Sequence, residues 1–140
     1  MIFNTNSEQE TSIVAQEFAA TLRPRDIVLL NGDLGLGKSV FSRSVIRALM
    51  NNENIDVPSP TFTLVQTYDT PQGDVYHFDL YRLKTPEELY EIGWEDALHS
   101  GIILVEWPER LGFLKPKHYI QIDIKSGASS DSRFITIQRI

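Results

Sequence analysis

The stretch that most limits this chain is Gly32-Asp33-Leu34-Gly35-Leu36-Gly37-Lys38-Ser39, which matches the pattern G-x-x-x-x-G-K-[ST]. Before it, Asp26-Ile27-Val28-Leu29-Leu30 has the continuous apolar character of a buried parallel strand. After it, Phe41, Val45 and Leu49 mark one face of a helix. Glycines let a backbone wrap closely round phosphate oxygens with its N–H groups pointing inward. The helix that follows offers an N-terminus, which favours anions. Gly32, Asp33, Leu34, Gly35, Leu36, Gly37, Lys38, Ser39 and Val40 are therefore the expected nucleotide contacts. Lys38 is expected to reach the β- and γ-phosphates, and the Ser39 hydroxyl to ligate Mg²⁺. Without its flanks, the same stretch would be a flexible glycine turn with a solvated lysine.

The other segments follow from local signals. Ser7 to Glu10 reads as a capping box opening a helix with Val14, Phe18 and Leu22 on one face, closed by Pro24. Asn51 to Pro60 reads as a loop. Thr61 to Asp69 and Asp74 to Tyr81 read as an antiparallel hairpin about the turn Thr70-Pro71-Gln72-Gly73. Thr85-Pro86-Glu87-Glu88 is a helix start with its N-cap at Thr85. Ile102 to Val105 is a second buried strand, and Ile120/Ile122/Ile124 with Ile135/Ile137 predict a terminal hairpin with one wet face.

A phosphate loop needs an acidic partner near Mg²⁺, usually at the end of a neighbouring parallel strand. Glu106, immediately after Ile102 to Val105, fits that place and is expected in the metal shell; alone it would be an exposed strand-end carboxylate. A symmetric hairpin sets Thr61 opposite Arg82 and puts Thr61 and Asp79 at one end, within about three residue rises, or roughly 10 Å. There Thr61 suits a switch hydroxyl, and Asp79 an orienter of water or holder of a metal-bound water. Spacing alone equally allows a strand threonine and a solvated aspartate. Trp107 reads as core more readily than as a stacking platform. His77, His99 and His118 show no metal spacing and receive no role. Arg43 and Arg47 fall on the wet face of their helix.

Charge narrows the function classes. Acidic residues outnumber basic ones 19 to 13, a net charge of -6 over 140 residues, and no basic block stands out. Nucleic-acid affinity rests on neutralising phosphates, so any service to nucleic-acid chemistry is expected to run through a partner. The longest aliphatic runs, Ile27 to Leu30 and Ile102 to Val105, are far too short to span a bilayer. Met1-Ile2-Phe3-Asn4 lacks the pattern of a secretion signal, and the absence of cysteine excludes disulfides and thiolate chemistry. The expectation is a cytoplasmic protein without membrane contact, folded as one P-loop domain over residues 1–140.

Five segments, in order, resemble the TsaE family of bacterial ATPases in tRNA threonylcarbamoyladenosine biosynthesis. They are Gly32 to Lys38, Ser59-Pro60-Thr61-Phe62-Thr63-Leu64-Val65, Tyr76-His77-Phe78-Asp79-Leu80-Tyr81-Arg82, Pro86-Glu87-Glu88-Leu89 with Gly93, and Val105-Glu106-Trp107-Pro108. The resemblance implies an α/β fold, a P-loop NTPase-like three-layer sandwich with a mixed, partly antiparallel sheet. It implies ATP and Mg²⁺ as cofactors and the TsaB and TsaD proteins as partners. TsaD of that family transfers the threonylcarbamoyl group to adenosine 37 of tRNAs reading codons that begin with A. TsaE supports repeated turnover by hydrolysing ATP, and meets tRNA only through the assembly. By position, Lys38 and Ser39 then bind phosphate and Mg²⁺, Glu106 joins the metal shell, and Thr61 and Asp79 support hydrolysis. Many members carry threonine where this chain has Ser39, and either hydroxyl can ligate Mg²⁺. The last twenty or so residues match no motif.

Two other readings compete. A small-molecule kinase needs an acceptor pocket and a lid with arginines, for which Arg82 and Arg110 are the candidates. A nucleotide-gated adaptor needs the phosphate loop but no hydrolytic Asp79.

Overall fold

Each apolar strand of this chain is a line of backbone donors and acceptors that only a neighbouring strand can satisfy. In the computed structural model, which describes residues 1–33, 35 and 37–140, seven strands meet in one sheet. The elements in chain order are β1 (Ile2–Thr5), α1 (Glu8–Ala19), β2 (Ile27–Asn31), α2 (Lys38–Met50), β3 (Val65–Thr70), β4 (Gly73–Asp79), α3 (Glu88–Glu91), α4 (Trp94–Ser100), β5 (Ile102–Glu106), β6 (Ile120–Ser126) and β7 (Arg133–Arg139). A 3₁₀ segment, Pro108–Leu114, joins β5 to the terminal hairpin. The strand order is β1-β7-β6-β2-β5-β4-β3. β2 pairs in parallel with β5 and β6, and β4 with β5; the outer pairs β1/β7, β6/β7 and β3/β4 are antiparallel.

The central strand β5 is buried at every position, as its unbroken apolar run requires. Its alternate side chains enter different cores. Ile102 and Leu104 pack with Phe18, Phe41, Val45 and Ile46 beneath α1 and α2. Ile103 and Val105 pack with Phe78, Leu89, Trp94 and Leu111 beneath α3, α4 and the 3₁₀ segment. This is the expected three-layer α/β arrangement with a mixed sheet. Burying Phe41, Val45, Ile46 and Leu49 contributes about 1.5–3 kcal/mol each and anchors α2 behind the glycine-rich turn. Among the described residues no helix is long and apolar enough to cross a membrane.

Topology gathers functional segments at one edge. The parallel strands β2, β4 and β5 end there in Asn31, Asp79 and Glu106, with Asp79 and Glu106 directly paired. β1 runs the same way, because two antiparallel steps through β7 relate it to β6. Its end therefore delivers Ser7 and the start of α1 to that edge. β3 runs the other way and begins there, so the loop before it arrives as well.

Several expectations are corrected. The hairpin register at Asp69↔Asp74 is as expected, but β3 starts at Val65 rather than Thr61, and β4 ends at Asp79. Leu64 adopts a left-handed backbone (φ 70°), and its N–H bonds back to the Pro60 carbonyl at 2.7 Å. That turn folds Thr61 inward, so it does not face Arg82. In the capping box the Ser7 hydroxyl accepts from the Glu10 N–H at 3.1 Å, but the Glu10 carboxylate takes the N–H of Asn6 (3.3 Å) rather than that of Ser7. The third helix opens at Glu88, not Thr85; the Glu88 carboxylate accepts the Lys84 and Thr85 N–H groups at 2.7 and 3.1 Å. Arg47 is half-buried, its Nε donating to the Ile55 carbonyl at 3.0 Å, rather than simply solvated. Strand β1 has no counterpart in the sequence reading.

Candidate functional site

At the converging edge lies a cavity of about 410 Å³ walled by Gly35, Gly37, Lys38, Ser39, Val40, Ser59, Thr61, Asp79, Glu106 and Trp107, among others. The turn entering α2 shapes its floor. Gly32 (φ 156°) packs so closely that an added Cβ would meet the Ile124 carbonyl oxygen at 2.9 Å. Gly37 (φ 95°) turns the chain into α2 from the left-handed region that glycine enters without penalty. No side chain caps that helix among the described residues, whereas Ser7 caps α1. The first-turn N–H groups of α2 thus lack the side-chain partner that a soluble helix end normally has. Asp33 is exposed and does not line the cavity, and Leu34 and Leu36 lie outside the described residues.

Lys38 is 5% exposed, and its Nζ sits 3.6 Å from the centre of the Trp107 ring. Burial pushes its pKa below 10.5, while Glu106, Glu109, Asp79 and Asp33 pull the other way. Trp107 is half-buried, packing against the second core as expected and also walling the cavity, with its ring tilted against that of Tyr81 at 4.9 Å.

The acidic side is built by strand ends. Glu106 is 3% exposed, not an open strand-end carboxylate, and its Oε2 lies 2.6 Å from the His77 Nε2. An ionised Glu106 can only accept, which puts the proton on Nε2. The Nδ1 of His77 is buried without a partner among the described residues. His77 thus fixes one oxygen of Glu106, a role that the sequence reading missed when it tested the histidines only for metal spacing. Its signal was the position two residues before Asp79, on the same face of one strand.

Asp79 is 5% exposed and held at both oxygens. Oδ1 accepts the Tyr81 N–H at 3.0 Å, and Oδ2 accepts the Thr61 hydroxyl at 3.1 Å. Thr61 has one proton to give, so the Ser59 hydroxyl, 2.8 Å away, donates to Thr61. A relay Ser59→Thr61→Asp79 therefore lines the cavity, with Thr61 and Asp79 at the same end as expected and in direct hydrogen-bond contact.

The opposite wall was also invisible in the sequence. Ser7, Glu8 and Thr11 from the start of α1 line it with Asp131 and Arg133 from the terminal hairpin. Arg133 donates to the carbonyls of Ser130 and Ser132 at 2.7 and 2.8 Å, and reaches the Gly35 carbonyl at 3.4 Å.

The donor set fits a magnesium-bound polyphosphate. Ser39, Asp79 and Glu106 supply oxygens around one cavity. Among the described residues no group of three or more His, Cys, Asp or Glu forms a metal cage.

The fold and this edge define a P-loop NTPase-like protein. Residues 5–135 match the family model described as threonylcarbamoyl adenosine biosynthesis protein TsaE. A TsaE protein of Rickettsia bellii is 52% identical over 120 residues, covering 86% of this chain and 83% of the relative. That of Bacillus subtilis is 33% identical over 139 residues, covering 99% and 85%. The crystal structure of Bacillus subtilis YdiB superposes with a TM-score of 0.80 at 30% identity, over 100% of this chain and 85% of that one. The chain belongs to the TsaE family of tRNA threonylcarbamoyladenosine biosynthesis.

Proposed function

We propose that the chain is an ATPase subunit that binds and hydrolyses ATP·Mg²⁺ to sustain threonylcarbamoylation of adenosine 37 by a TsaB–TsaD assembly in the cytoplasm. One observation carries this reading. Lys38 and Ser39, at an N-terminus without a side-chain cap, share a cavity with Glu106, Asp79 and Thr61 from three other segments.

In this reading the glycine-rich turn and the first amides of α2 bind the phosphates, and Lys38 leaves the Trp107 face to pair with them. Mg²⁺ supplies charge neutralisation at the phosphate oxygens, with Ser39 as its protein ligand and Glu106 in its shell. His77 holds Glu106 in one orientation for that task. Asp79, with Thr61 and the Tyr81 N–H fixing both its oxygens, keeps lone pairs with which to orient a water. Ser7, Thr11 and Asp131, across the cavity, offer polar groups to the nucleoside end.

The two arginines that a kinase lid was expected to use are engaged elsewhere. Arg82 stacks on the Phe62 ring at 4.3 Å, and Arg110 donates to the Leu83 carbonyl at 3.3 Å. Neither belongs to the cavity wall. Phosphoryl transfer often takes a charge-stabilising group from a partner, so slow turnover alone and faster turnover in the assembly are expected.

The test is phosphate release from ATP·Mg²⁺ by the protein alone and with TsaB, TsaD and substrate tRNA, with Lys38→Ala as control. Stimulation that disappears in Lys38→Ala supports both site and role. A rate that partners leave unchanged defeats the assigned role, and a phosphorylated metabolite would revive the kinase.

A further inference from the structure

The Ser59→Thr61→Asp79 relay has an outer side. Thr61 turns into the cavity, while Phe62, the next residue, is 79% exposed, more than any other large apolar side chain among the described residues. The Arg82 guanidinium carbon lies 4.3 Å from the centre of the Phe62 ring. Arg82 forms no ion pair among the described residues. Next to it, Tyr81 is 42% exposed and continues the aromatic surface to Trp107 at the cavity wall. The two segments are therefore tied together twice, by Thr61 and Asp79 inside and by Phe62 and Arg82 outside.

Aromatic side chains and arginine are the residues that most often dominate binding energy at protein interfaces. A planar guanidinium already resting on a ring has lost little freedom still to be lost, and its edge matches a carboxylate through two parallel N–H bonds. RNA is the poorer fit: it calls for several cations along a backbone, and this chain carries a net charge of -6 without a basic block.

We propose that Phe62 and Arg82 form a docking plate for a protein surface that presents a carboxylate beside an apolar hollow. Because Thr61 is bonded to Asp79 at the cavity wall and is contiguous with Phe62, nucleotide occupancy alters how the plate is presented. The identity of that partner as the TsaB–TsaD assembly rests on the functional reading above.

The test compares wild type, Phe62→Ala, Arg82→Lys and Arg82→Glu, each with ATP·Mg²⁺ or ADP·Mg²⁺. Affinity for the purified TsaB–TsaD assembly is read by interferometry, and nucleotide affinity of the isolated chains by calorimetry. Phe62→Ala and Arg82→Glu are expected to weaken assembly binding by about tenfold or more, with Arg82→Lys between them and wild type. Nucleotide affinity and melting temperature should stay near wild type, since neither side chain lines the cavity. Wild-type affinity in both Phe62→Ala and Arg82→Glu overturns the plate and leaves the functional reading standing. A wild-type chain that does not bind the assembly overturns that reading and the partner with it. Binding of tRNA by the isolated chain, lost in the same variants, would make the plate a nucleic-acid surface and refute the proposal.

Discussion

Replacing His77 with Leu should unsettle Glu106 more than it disturbs the sheet. Both side chains are almost fully buried and meet at 2.6 Å. A hydrogen bond to an ionised group contributes about 1.5–3 kcal/mol, and its loss leaves a carboxylate oxygen in a dry place without its donor. For a chain of this size, 1 kcal/mol corresponds to roughly 3–5 °C in melting temperature, so His77→Leu should melt about 5–15 °C below wild type. Glu106→Met should cost a similar amount, by orphaning the His77 N–H. The double variant has no buried polar group left to compensate at this contact, so it should cost far less than the sum. Urea denaturation of the four proteins at pH 7, without nucleotide or Mg²⁺, gives the coupling directly, expected at about 1.5–3 kcal/mol. Additivity within about 0.5 kcal/mol would refute the argument that the two side chains act as a unit. A double variant as stable as wild type is compatible with it, because a buried polar pair can cost as much in desolvation as it returns. In that case the pair is retained for the position of Glu106. The Mg²⁺ concentration needed for half-maximal ATP turnover should then rise in His77→Leu.

Asp79→Ala removes the acceptor of the Thr61 hydroxyl and of the Tyr81 N–H; partner-stimulated hydrolysis should be lost while ATP still binds, and intact turnover would favour the adaptor reading. Lys38→Ala should weaken ATP binding by about 1.5–3 kcal/mol, the range for a hydrogen bond to a charged group, and unchanged calorimetric affinity would remove the phosphate-loop assignment. Lys38 also sets a pH dependence. Burial lowers its pKa in the free protein below 10.5, and a bound polyphosphate favours the ammonium. Affinity should therefore be level at neutral pH and begin to fall on the alkaline side before 10.5, and a level profile up to that pH would contradict it. Gly32→Ala would drive a Cβ to 2.9 Å from the Ile124 carbonyl oxygen; the shift this forces should cost about 1–3 kcal/mol in urea denaturation, and a neutral result would mean that the β2 end can move away from β6.

What the sequence made legible was local. The glycine spacing before Lys38 and the apolar run before Glu106 each carry their meaning within a few residues, and the symmetric turn at 70–73 sets the β3/β4 register. The pairing of Thr61 with Arg82 was misplaced because strand geometry was extended through Leu64. That residue is left-handed through bonds to distant partners: its carbonyl accepts the Asp79 N–H at 3.0 Å. An aliphatic side chain gives no hint of such a backbone. His77 escaped notice because its partner lies 29 residues away on β5, and the β4/β5 adjacency is a fact of topology. Ser7, Asp131 and Arg133 reach the cavity for the same reason. β1 is only four residues long and is defined by its pairing with β7.

The same topology explains why one edge can both hold a nucleotide and face a partner. Parallel strands must return by crossovers, so their C-terminal ends collect loops that need not pack on each other. Here the crossover between β2 and β5 contains the β3/β4 hairpin, whose two site-side ends are the Ser59–Leu64 loop and the Asp79–Arg82 turn. These ends are joined by the Thr61–Asp79 bond inside and the Phe62–Arg82 contact outside. A ligand that draws Thr61 away from Asp79 removes the inner tie and leaves the outer one to follow the backbone. The bond that would sense the nucleotide and the surface that would meet the partner are thus adjacent residues of one loop. Coupling between them requires no movement of the sheet.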